Sequence, residues 1–117
     1  MILENYFKHD FVNIIFMKSC LFINDIEQVE LLVKILSTSY TAYNIIFSKS
    51  YLKAIFFSKI KIYYPDINII NCDSSKSRLL NEISYNNNLI IFDKINYCYD
   101  IEIFNRINNI NNRILIC

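Results

Sequence analysis

Apolar residues recur along this chain in two rhythms, one helical and one of short unbroken runs. Ile26, Val29, Leu32, Val33 and Leu36 fall on one stripe of a helix. Asn24 stands ahead of them as a cap, and Glu27 sits three residues on, where its carboxylate can reach back to the cap backbone. The pattern predicts a helix over residues 25 to about 36, ended by the hydroxyl-bearing run 37–41, whose side chains compete for backbone bonds. Residues 44–47 are then a compact β-branched and aromatic run that suits a buried strand. Ser48 or Ser50 can cap a second helix, with Leu52, Ile55, Phe56, Lys59 and Ile60 at helical spacing until Pro65 forbids continuation.

The alternation continues. Residues 67–72 read as a strand, and Asp73, Ser74 and Ser75 open a short helix whose apolar face is Leu79, Leu80 and Ile83. A polar loop at 86–88 precedes a strand at 89–92 that ends at Asp93. Tyr99 or Asp100 begins a helix with Ile103, Phe104, Ile107 and Ile110 inside, and Asn111 and Asn112 turn the chain into a last strand over 113–117. Before Asn24 the pattern is ambiguous, since residues 11–16 suit either another strand or an apolar lead-in. Strands alternating with helices at this spacing imply β-α-β crossovers. The expected fold is therefore α/β, a three-layer sandwich around a mainly parallel four- to five-stranded sheet, in one domain spanning residues 1–117.

Composition narrows the function classes. The apolar fraction of 54% against 20% charged residues argues for a folded chain, not a disordered one. A net charge of +1 supplies no field that would draw a polyanion, so direct nucleic-acid binding is not expected. The longest apolar stretch, 11–23, is broken by Asn13, Lys18 and Ser19 and falls short of the roughly 20 residues a membrane span needs. Cys20, Cys72, Cys98 and Cys117 form no Cys-x-x-Cys pair and the single histidine, His9, is remote from them, so no zinc site is expected. With no basic and apolar leader at the start, the four cysteines read as reduced thiols of a cytoplasmic protein. The abundance of Ile and Asn reads as the mark of an AT-rich coding sequence, so single Ile and Asn residues carry little functional meaning.

In a parallel sheet, chemistry gathers at the carboxyl ends of the strands. Here those ends offer Ser48, Lys49 and Ser50, then Cys72 and Asp73, then Asp93 and Lys94. Lys49-Ser50 stands where a phosphate-binding loop places its Lys-Ser or Lys-Thr. The chain has no glycine, however, and a working loop of that kind needs backbone conformations that a Cβ disfavours. Lys49 is then a solvated lysine at a helix start. Asp93, at the end of an apolar strand, has the position of a magnesium-organising aspartate, and equally that of a turn-forming one, with Lys94 able to pair with it and neutralise it. Cys72 at a helix start could be a reactive thiol, but no histidine is near to activate it, and a buried structural cysteine is favoured.

Taken in order, these segments resemble the nucleotide-binding domain of the bacterial replication-initiator family, DnaA, a branch of the AAA+ ATPases, and its shorter regulatory-inactivator relatives. The likeness runs from Asp10-Phe11-Val12 through Tyr43-Asn44-Ile45-Ile46-Phe47-Ser48-Lys49-Ser50-Tyr51-Leu52, similar to a strand, a deleted glycine loop and the remnant of Gly-Lys-Thr-His-Leu. Residues 89–95 resemble the Walker B strand, Glu102-Ile103-Phe104-Asn105-Arg106-Ile107 the following helix, and 113–117 the sensor-1 strand. The resemblance implies that the strand ending at Cys117 lies between those ending at Phe47 and Phe92. It also implies a degenerate nucleotide site at Lys49, Ser50 and Asp93 that binds no cofactor, because the glycine loop, the second acid and the lid arginine are missing. The expected function is a nonenzymatic protein-interaction module in the regulation of replication initiation, its partner the initiator or the sliding clamp. The alternatives are a small structural subunit of a larger protein or ribonucleoprotein assembly, or an enzyme using Lys49, Asp73 and Asp93. Since the likeness stops at the fourth core strand, one side of the sheet is expected to be uncovered and prone to self-association.

Overall fold

A computed structural model describes residues 20–38, 42–84, 89–98 and 100–117. The expected segments 11–16 and 86–88, and Tyr99, lie outside these. In chain order the elements are β1 (Cys20–Ile23), α1 (Ile26–Thr38), β2 (Tyr43–Phe47), α2 (Ser50–Tyr63), β3 (Asn68–Asn71), α3 (Lys76–Ser84), β4 (Ile90–Asp93), a 3-10 turn (Ile95–Tyr97), α4 (Ile101–Asn108) and β5 (Arg113–Ile116). The five strands form one sheet in the order β1-β2-β5-β4-β3, and every pairing is parallel.

The three layers follow from alternation along the strands. Ile45, Ile91, Ile114 and Ile116 point to one face, where Val29, Leu32 and Leu36 of α1 and Leu52, Phe56 and Ile60 of α2 cover them. Ile70, Ile90, Phe92 and Leu115 point to the other, under Leu79 of α3 and Ile103, Phe104 and Ile107 of α4. Connections running from β1 towards β3 use the first face and those returning use the second, as crossovers of one hand require. β4 is covered on both faces, which is why its Ile-Ile-Phe run is apolar without alternation.

Local signals shape the ends of these elements. Asp25 caps α1, not Asn24: its Oδ1 accepts the Gln28 N–H at 2.8 Å, and Gln28 Oε1 accepts the Asn24 N–H at 2.6 Å. The cap sits one residue later than the pattern suggested, on Asp25, and Gln28 in place of Glu27 reaches back to the Asn24 N–H. At the far end Ser37 and Thr38 hydroxyls donate to the carbonyls of Lys34 and Ile35. Neither Ser48 nor Ser50 caps α2, whose cap position is Lys49, with no side-chain bond. Pro65 does its expected work: the last helical residue is Tyr63, and the Tyr64 N–H closes on the Ile60 carbonyl at 3.0 Å. The Tyr64 hydroxyl donates to the Leu36 carbonyl, tying the ends of α1 and α2 together. Asp100 caps α4 by accepting from Glu102 and Ile103 N–H, while Lys76 of α3 lies 3.1 Å from its carboxylate and 2.9 Å from that of Glu102.

Two features correct the sequence reading. β1 forms from Cys20–Ile23 and pairs with β2 on the side away from β5, so β2 is not the exposed edge that a four-strand core would leave there. The 3-10 turn inserts a buried Ile95 between β4 and α4, in a stretch to which the sequence pattern assigned no element.

Candidate functional site at the carboxyl ends of the strands

The connections leaving β2 and β4 go to opposite faces, with β5 between them, and this reversal is the switch point at which a parallel sheet places a crevice above its strand ends. Its walls are the β2–α2 junction and the β4–turn junction. The first is only Ser48 and Lys49 long. The Ser48 N–H donates to the Ile23 carbonyl at 2.9 Å, and Lys49 is extended at φ −140°, ψ 144°, so the chain passes straight from strand to helix. No arc of backbone N–H groups forms there to cradle a phosphate. Lys49 and Ser50 are exposed, and the Lys49 ammonium lies 6.0 Å from the centre of the Tyr51 ring, at the outer limit of a cation–π contact.

The lysine that reaches across the crevice is Lys53, one helical turn further on. Its Nζ lies 3.1 Å from Oδ2 and 3.2 Å from Oδ1 of Asp93. Asp93 is among the few buried polar residues, and its Oδ1 also accepts the Lys94 N–H at 2.9 Å. Its backbone carbonyl receives the Cys72 N–H at 2.9 Å, which fastens the β3 end to the β4 end. The carboxylate is thus satisfied by the protein itself, with an ammonium group on the side where a cation would bind. Lys94 does not neutralise Asp93 with its side chain; it contributes its backbone, and pays for this with a left-handed conformation, φ 56°, ψ 45°.

The remaining sequence candidates do not converge. Asp73 is exposed after β3, its N–H donating to Asn71 Oδ1 at 2.9 Å. The β2 and β3 ends that carry Lys49 and Asp73 are separated by β5 and β4, about 14 Å at the usual strand spacing. Cys72 and Cys98 are buried in the cluster under α3 and α4, and burial above all pushes both thiols up from their ordinary range. Such thiols are poor nucleophiles. Among the described residues no three of His, Cys, Asp and Glu gather as a metal site, all four cysteines are free, and no helix is long and apolar enough to cross a membrane. Lys53 was missed in the sequence, although its place between Leu52 and Phe56 puts it on the flank of the buried stripe, unlike the outward-facing Lys61.

Comparison with protein-family models, with curated proteins and with solved structures finds no match to this chain.

Proposed function

We propose that the chain is a nonenzymatic protein-interaction domain, built on a nucleotide-binding type of framework whose site is closed by its own ion pair. The observation that carries this reading is the Lys53–Asp93 contact in the crevice, beside a β2–α2 junction too short and too straight to wrap a phosphate. A phosphate would find one exposed lysine and a capless helix start; a divalent cation would have to displace a tethered ammonium from a buried carboxylate. The position of β5 between β2 and β4 supports the framework, since it is the order the resemblance to the replication-initiator family implies. On that resemblance the partner is a replication initiator or a sliding clamp, and direct binding measurements with each purified protein test this finer reading.

The test of the inert site is thermal. A ligand held only by the native state at a hundred times its dissociation constant stabilises it by about 2.7 kcal/mol, several degrees for a chain of this size. ATP with magnesium is expected to leave the melting temperature unchanged. A saturable rise that Lys49→Ala abolishes would show a working phosphate site and overturn the proposal.

A further inference from the structure

We draw no further inference here: the strongest candidate, the patch of exposed apolar side chains Ile26, Tyr51, Tyr97 and Ile101 at the carboxyl end of the sheet, carries nothing, because the charges at that end are of both signs, Lys49 and Lys94 against Asp25 and Asp73, and nothing in the structure shows what covers it.

Discussion

Lys53 and Asp93 stand 40 positions apart in the chain and 3.1 Å apart in the fold. The lysine comes from the first turns of α2, the aspartate from the last position of β4, and β5 lies between the strands that lead to them. The pair spans the crevice at the place where a parallel sheet ordinarily receives its ligand. With side-chain exposures of 26% and 12%, both groups have lost much of their water, so neither is comfortable without the other.

Removing one partner is therefore expected to cost more than removing both. Lys53→Met leaves a buried carboxylate without its counter-ion and should destabilise by about 2 kcal/mol, whereas Lys53→Met with Asp93→Asn should recover at least half of that. Urea unfolding of the four proteins of the cycle gives the coupling directly. A coupling below about 0.5 kcal/mol would mean that the pair is no more than a surface contact.

Lys94 should be improvable. Its left-handed backbone costs about 1–2 kcal/mol in a residue with a Cβ, partly offset in any glycine replacement by the greater freedom of the unfolded chain. Lys94→Gly is expected to raise the urea midpoint and Lys94→Val to lower it, since a β-branched residue tolerates this region worst. The reverse ranking would place strain elsewhere in the β4 junction.

Phe104, at 5% exposure, fills the layer under α4 together with Ile103 and Ile107. Phe104→Ala should cost roughly 3–5 kcal/mol, a large part of the stability of a domain this small. A melting temperature within a degree or so of the wild type would contradict this packing.

The buried thiols predict an alkaline limit. Unfolded cysteines lose their protons around the ordinary value of 9.0, while native Cys72 and Cys98 hold theirs to higher pH. Above pH 9 the unfolded state thus releases protons that the native state keeps, so their contribution is fully present below that pH and is lost as pH rises. Stability measured from about pH 8 to 10 should fall less steeply in Cys72→Ala than in the wild type. Equal slopes would show that the thiol is not held neutral by the fold.

What was legible from sequence is what depends on near neighbours. The stripe Val29, Leu32, Val33, Leu36 marks α1, Pro65 stops α2, Asp100 caps α4, and the unbroken apolar run before Asp93 marks a strand covered on both faces. Each is decided within one or two turns of chain, by periodicity, a missing N–H or a side-chain acceptor. Even there, the cap of α1 moved by one residue, because adjacent positions offered chemically equivalent bonds. β1 was not separable in advance from the apolar stretch in which it lies: Cys20–Ile23 has no period of its own, and only its ladder with β2 makes it a strand. The site shows the same division. Sequence placed Lys49, Ser50 and Asp93 at strand ends and noted the absence of glycine; which lysine reaches Asp93 depends on how α2 crosses over the sheet and on β5 returning between β2 and β4. Pattern along the chain specifies elements through local bonds and burial, whereas the partners of a half-buried charge are chosen by packing between elements far apart in sequence, and that only the tertiary structure decides.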